Sequence, residues 1–254
     1  MKKIKLRPVK PLSESGFNLK ISKSIVPNFF TIANMFSGYM SVIFAVFHRD
    51  LVMASWMIVL AAFLDAMDGK VARMTHSSSK FGVEYDSLAD VISFGLAPSV
   101  LIYTYYFYQL KTVGIFMSFF PLLFGGIRLA RFNVQLESTE KSHFIGLPSP
   151  AAANVFATYI IFMNYYFPGL ILSKVLIIFT FLVSVLMVST IHYELLPSIS
   201  FRDNWQKKVT SFLYVMAIIF LILFPKTLFF PYIMLYVLSG LVRYIFAWNR
   251  SEGD

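Results

Sequence analysis

The chain has 254 residues, 57% of them hydrophobic, 18% aromatic and only 14% charged. A soluble domain carries about 25% charged residues, so the composition argues against a soluble globular fold and for an all-α polytopic membrane protein. The net charge of +9 sits on residues that flank apolar spans, which favours anionic lipid headgroups over nucleic acid as partner, and the absence of cysteine excludes a disulfide framework or a thiolate site.

Residues 1–26 are polar and basic, lack a cleavable signal pattern and read as a cytoplasmic tail. Eight apolar segments follow, near 29–47, 51–71, 87–110, 112–130, 149–167, 172–191, 209–224 and 227–246, and they predict a helical bundle of about eight transmembrane helices. Several of their uncharged cores are short for a hydrocarbon layer of about 30 Å. Tilt and snorkelling Lys and Arg side chains can supply the difference. Pro27, Pro148, Pro150, Pro168, Pro197 and Pro225 punctuate the boundaries. With eight spans both termini share a side. Lys and Arg then divide 18 to 4 in favour of that side, which accounts for all 22. Cytoplasmic loops carry the excess of Lys and Arg, so both termini face the cytoplasm.

Pro27-Asn28-Phe29-Phe30-Thr31 opens the first span, where Asn and Thr are ordinary helix caps. The second span ends in Leu64-Asp65-Ala66-Met67-Asp68-Gly69-Lys70-Val71-Ala72-Arg73, and the third is preceded by Gly82-Val83-Glu84-Tyr85-Asp86-Ser87-Leu88-Ala89-Asp90. Four carboxylates therefore stand at the ends of two membrane-length apolar segments, on the cytoplasmic side. On insertion scales an Asp at the centre of a span costs about 2.5–3.5 kcal/mol, so charge at such depth marks function by default. Asp65 and Asp68 are three apart and Asp86 and Asp90 four apart; on helices each pair shares a face. Two such faces turned together make a cluster that stays ionised only around a cation. Oxygen ligands without Cys favour magnesium, manganese or calcium over zinc. Gly69 and Gly82 let a ligand approach the backbone closely, and Arg73 brings a guanidinium suited to a phosphate. Metal, Arg and small residues together describe a diphosphate site. Solvated helix-end aspartates are the alternative, weakened by the apolar flanks. An ion transporter is another, but it predicts acidic groups near mid-span rather than at span ends.

The aromatic run Tyr103-Thr104-Tyr105-Tyr106-Phe107-Tyr108 reads as an interfacial belt at the outer face. Gly126-Ile127-Arg128-Leu129-Ala130-Arg131-Phe132-Asn133 ends the fourth span, with Arg128 and Arg131 on one helical face. That pair is either a positive-inside anchor or an anion pocket for a phosphate or a substrate carboxylate. His143-Phe144-Ile145-Gly146-Leu147-Pro148-Ser149-Pro150-Ala151-Ala152-Ala153 precedes the fifth span. Its prolines and Gly146 fix a turn, and its alanines permit close helix approach.

From Asp65 to Asp90 the string reads D-x2-D-G-x2-A-R-x8-G-x3-D-x3-D. It resembles the signature of the CDP-alcohol phosphotransferases, integral membrane enzymes that move a phosphatidyl-type group from a CDP-linked lipid to an alcohol and release CMP. Arg-Leu-Ala-Arg-Phe-Asn followed by Gly-Leu-Pro-Ser-Pro-Ala-Ala-Ala is similar to the serine-accepting branch, with resemblance over roughly 24–196. The phospholipase-D-like alternative needs His-x-Lys, and none of His48, His76, His143 or His192 has Lys two places on. The resemblance implies that Asp65, Asp68 and Asp86 hold magnesium or manganese, with Asp90 near them and acting as base. It implies that Asn28, Thr31, Gly69, Ala72, Arg73, Ser79 and Gly82 contact the CDP-lipid. Arg128, Arg131 and Asn133 would bind the acceptor. The implied substrates are CDP-diacylglycerol and L-serine, and the implied assembly is a homodimer among membrane lipids. Glycerol phosphate or inositol phosphate stays open as acceptor, with the Arg pair then binding its phosphate. The expected organisation is a tail over 1–26, a family core of about six spans over 27–196, and two further spans with a short C-terminal tail over 197–254.

Overall fold

A computed structural model of the chain describes residues 25–75, 80–137, 146–191, 193 and 205–251; among these there are helices and short connections and no strand. Helix α1 (Ile25–Ile43) runs into a π turn, Phe44–His48. The chain reverses at Arg49, whose φ of 52° is left-handed. Asp50 then caps α2 (Leu51–Thr75), its carboxylate accepting from the Met53 amide at 2.8 Å. At 1.5 Å per residue α2 is about 37 Å long, enough to cross an apolar layer and carry Asp65 and Asp68 to the far end. Helix α3 (Lys80–Asp90), a π turn at Val91–Leu96 and α4 (Ala97–Tyr105) form one continuous rod back across. A 3-10 turn at Phe107–Leu110 leads into α5 (Lys111–Glu137).

Pro121 lies inside α5, where it removes a donor from the helix ladder. The next amide, Leu122, donates instead to the hydroxyl of Ser99 on α4 at 3.1 Å. Such repair by a neighbouring hydroxyl lets an apolar helix keep a proline. Helix α6 (Ser149–Tyr166) is the most enclosed: Ala152, Ala153, Val155, Phe156 and Ala157 are buried in sequence, and it packs on α2 and on α7 (Ser173–Val188). Two last helices follow, α8 (Trp205–Leu223) and α9 (Pro225–Ser251), with α9 lying against α6.

Each of the eight apolar segments folds as helix. Among the described residues, five helical stretches are long and apolar enough to cross a membrane: Asn28–His48, Leu51–Val71, Phe81–Tyr105, Phe107–Gln135 and Pro225–Phe246. Helix α7 is apolar but shorter, and α6 carries Asn154 and Thr158, which its protein surroundings tolerate better than lipid would, with Asn164 exposed near its end. Two predicted boundaries move. The third helix begins at Lys80, ahead of the apolar segment near 87–110, so Asp86 and Asp90 share a helix as their spacing predicts; and the rod stops at Tyr105, not 110, just before the 3-10 turn at Phe107–Leu110. The aromatic run is only partly a belt. Tyr108 is exposed, but Phe107 is fully buried and Tyr105 packs edge-on against Tyr159 at 6.4 Å.

The segment before α6 docks beside the end of α7. Amides of Gly146 and Leu147 donate to the carbonyls of Ile191 and Leu186, both at 2.9 Å. Gly146 has φ +87°, and a Cβ there would run into the Met187 carbonyl, so only glycine fits.

Candidate active site

Helix α2 brings Asp65 and Asp68 to one end of the bundle, and α3 brings Asp86 and Asp90 to meet them. Helix α1 packs along α2, α3 and the π turn after Asp90. One carboxylate oxygen each from Asp65, Asp86 and Asp90 lies within 4.8 Å of the others. Three ionised carboxylates at that spacing repel strongly unless a cation joins them. Moreover, Oδ1 of Asp86 is buried without a hydrogen-bond partner. An orphaned carboxylate oxygen in an all-oxygen donor set fits a hard divalent ion.

Asp68 lies outside that triangle. It is buried, and its Oδ2 accepts a hydrogen bond from the Thr31 hydroxyl of α1. Its charge is nevertheless felt at both Asp65 and Asp86. Thr31 thus reaches a carboxylate, which helix capping alone does not explain. One turn further along α1, Asn34 donates from Nδ2 to Asp90 Oδ1 at 3.4 Å. The backbone oxygen of Asn34 accepts from the Ser93 hydroxyl at 3.0 Å, across to the π turn. Gly38 permits this closeness: a Cβ there would stand 2.6 Å from Ser93 Cα.

Gly69 follows Asp68 directly, and a Cβ built on it meets nothing within 4 Å. Open ground therefore borders the carboxylates. Arg73 is exposed at the end of α2, Gly82 is half-buried in α3, and Asn28 is half-buried at the start of α1. Ala72 is within α2. Ser79 and His143 lie outside the described residues.

On α5, Arg128 is buried and donates from Nη1 to the Ser149 hydroxyl, at the start of α6, at 2.9 Å. Its guanidinium is within electrostatic reach of Asp90. Arg131, half-buried, donates to the Val188 carbonyl at 3.2 Å, so it ties α5 to the end of α7. Asn133 pairs with Ser87, next in sequence to Asp86: the amide donates to the hydroxyl at 3.0 Å and the hydroxyl approaches the amide oxygen at 3.2 Å. The predicted acceptor residues therefore divide. Arg128 and Asn133 stand beside the aspartates, and Arg131 turns toward α7.

Four polar residues here escaped the sequence reading of the site: Asn34, Ser87, Ser93 and Ser149. Asn34 had a usable signal. Asn28, Thr31 and Asn34 are spaced by three, which puts amide, hydroxyl and amide on one helical face.

Apolar helices of crossing length, a carboxylate cluster at one end and a buried guanidinium within electrostatic reach of it describe an integral membrane protein with a polar site suited to a cation. Residues 24–186 match the CDP-alcohol phosphatidyltransferase family. The CDP-diacylglycerol–serine O-phosphatidyltransferase of Helicobacter pylori is 39% identical over 226 residues, 87% of this chain and 92% of that protein. The enzyme of the same name from Methanocaldococcus jannaschii is 28% identical over 220 residues, 87% and 94% of the two chains. The archaetidylserine synthase of Methanothermobacter thermautotrophicus is 35% identical over 170 residues, 66% and 69%. The chain belongs to the CDP-alcohol phosphatidyltransferase family, whose members generally depend on a divalent metal.

Proposed function

We propose that this protein transfers the phosphatidyl group of CDP-diacylglycerol to the hydroxyl of L-serine and releases CMP. The observation that carries the chemistry is the triangle of Asp65, Asp86 and Asp90 with Arg128 beside it. Serine as acceptor is supported by the names of the relatives, which cover most of this chain.

Asp65, Asp68 and Asp86, with Asp90 near them, would hold magnesium or manganese. When bound, the ion offsets charge on the diphosphate and on the departing CMP. Asn28, Thr31, Gly69, Ala72, Arg73, Ser79 and Gly82 would contact the CDP-lipid; the open ground at Gly69 supports close approach of a phosphate. Asp90 takes the proton from the serine hydroxyl, otherwise a weak nucleophile. The serine oxygen bonds to the phosphorus that carries the lipid, and the bond from that phosphorus to CMP breaks. Arg128, Arg131 and Asn133 would serve the acceptor, Arg128 by gripping the carboxylate of serine. The 18-to-4 division of basic residues supports a site open to the cytoplasm.

The test is CMP release by the purified protein from CDP-diacylglycerol with L-serine, glycerol 3-phosphate or inositol 1-phosphate, with and without a chelator. Release with L-serine, lost on chelation, is expected. Turnover with a phosphorylated alcohol and none with serine would refute the acceptor and leave the family intact. Full turnover in excess chelator would refute the metal.

A further inference from the structure

Two residues that interact with Asp90 each keep a buried polar atom without a hydrogen-bond partner: Asn34 on α1, bonded to Asp90 through Nδ2, keeps Oδ1, and Arg128 on α5, within electrostatic reach of Asp90, keeps Nε. Asn34 is 0% exposed. A carboxylate only accepts hydrogen bonds, so the amide NH2 of Asn34 faces Asp90 and its carbonyl oxygen is left over. The Ser93 hydroxyl and the close approach at Gly38 hold this stretch of α1 in place. Arg128 is likewise fixed through Nη1 by Ser149, which leaves Nε over. Buried polar atoms are nearly always paired, and an exception calls for a missing partner.

An orphaned acceptor and an orphaned donor on two residues that interact with one carboxylate complement a molecule with a cation, an anion and a hydroxyl. We infer that Oδ1 of Asn34 receives the ammonium group of a free α-amino acid, while Arg128 Nε binds its carboxylate and Asp90 its hydroxyl. Asn34 is then a specificity-determining residue. It selects a zwitterionic acceptor over an uncharged or phosphorylated alcohol. Three fixed contacts also distinguish the two enantiomers. The inference rests on serine transfer as proposed above and adds the recognition of the amino group.

The test measures CMP release by the purified full-length protein, supplied with CDP-diacylglycerol and magnesium or manganese. The acceptors are L-serine, D-serine, 3-hydroxypropionate (serine without its ammonium) and ethanolamine (serine without its carboxylate). The wild-type kcat/KM should favour L-serine over 3-hydroxypropionate by about 10- to 100-fold, the scale of one charged buried hydrogen bond. Asn34→Ala should raise KM for serine and erase most of that preference, with KM for CDP-diacylglycerol unchanged. Arg128→Ala should do the same for the preference over ethanolamine. Wild-type protein that uses 3-hydroxypropionate as well as L-serine would overturn the inference without any variant. So would an Asn34→Ala protein in which both acceptors slow by the same factor, because Asn34 then only positions Asp90. Either result leaves serine transfer standing. No CMP release with L-serine in the wild type would overturn serine transfer and this inference together.

Discussion

At the end of the bundle where the aspartates meet, neighbouring helices are joined by hydroxyls, amides and carboxylates: Thr31 to Asp68, Asn34 to Asp90, Ser87 to Asn133, Arg128 to Ser149. Away from that end they are joined by rings. Tyr159 of α6 meets Phe179 of α7 at 5.7 Å, Phe230 of α9 at 5.6 Å and Tyr105 of α4 at 6.4 Å, with interplanar angles of 62–87°. Edge-on aromatic contacts satisfy themselves. The polar end does not: Asp86, Asn34 and Arg128 each keep a buried atom without a partner around the carboxylates, beside Ser41, Asn154 and Ser184 elsewhere on α1, α6 and α7. The ring cluster is held by apolar surfaces that need no polar partner, and the aspartate end gathers polar atoms suited to ligands. Substitutions at the two ends should therefore fail in different ways.

The largest effect belongs to the carboxylates. Asp86→Asn keeps the shape but removes a charge from the triangle, and turnover should fall below detection while the protein elutes as folded. Asp90→Asn should cost about 100-fold or more, the scale of general-base loss, with binding of CDP-diacylglycerol retained. Thermal unfolding in detergent should be no lower for either variant, because removing repulsion relieves the apo cluster. If Asp90→Asn lost both metal and lipid binding, Asp90 would be a ligand and not a base.

The converse holds for the rings. Tyr159→Ala leaves a cavity where α4, α6, α7 and α9 meet. Truncating a buried aromatic costs about 3–5 kcal/mol, read as a lower midpoint of thermal unfolding. Assayed well below that midpoint, serine turnover should stay within a few-fold of wild type. A Tyr159→Ala protein with unchanged unfolding but no activity would dissolve the contrast between the halves.

Much of the polar end is written locally. Asp65 to Asp90 spans a single helical reversal, so its charges stand out against apolar flanks without knowledge of any distant partner. Asn34 is different, because its meaning lies in Asp90, 56 residues on. The π turn at Val91–Leu96 also leaves no mark on the apolar pattern, although it carries Ser93 to the Asn34 backbone. In α6 the apolar count predicts a span but not that the helix sits enclosed by protein. Helices α8 and α9 read as functionally blank, yet α9 supplies Phe230 to the ring cluster. It also supplies Gly240, whose missing Cβ makes room for the Tyr193 ring.

The smallest effect on activity, and the sharpest on orientation, comes from labelling the two ends. The chain has no cysteine, so one introduced thiol reports from one place. Met74, at the end of α2 past the aspartates, is 72% exposed, and Phe47, at the opposite end of α1, is 75% exposed. Neither touches the carboxylate triangle, so Met74→Cys and Phe47→Cys should both keep near wild-type turnover. In intact cells a membrane-impermeant maleimide should label Phe47→Cys and spare Met74→Cys; opening the membrane should expose both. The 18-to-4 asymmetry of Lys and Arg expected for eight spans favours this order, because basic loops resist translocation. A soluble amino acid and released CMP also require the aspartate end to meet the compartment that holds them. Labelling of Met74→Cys in intact cells would invert the molecule and place its polar half outside.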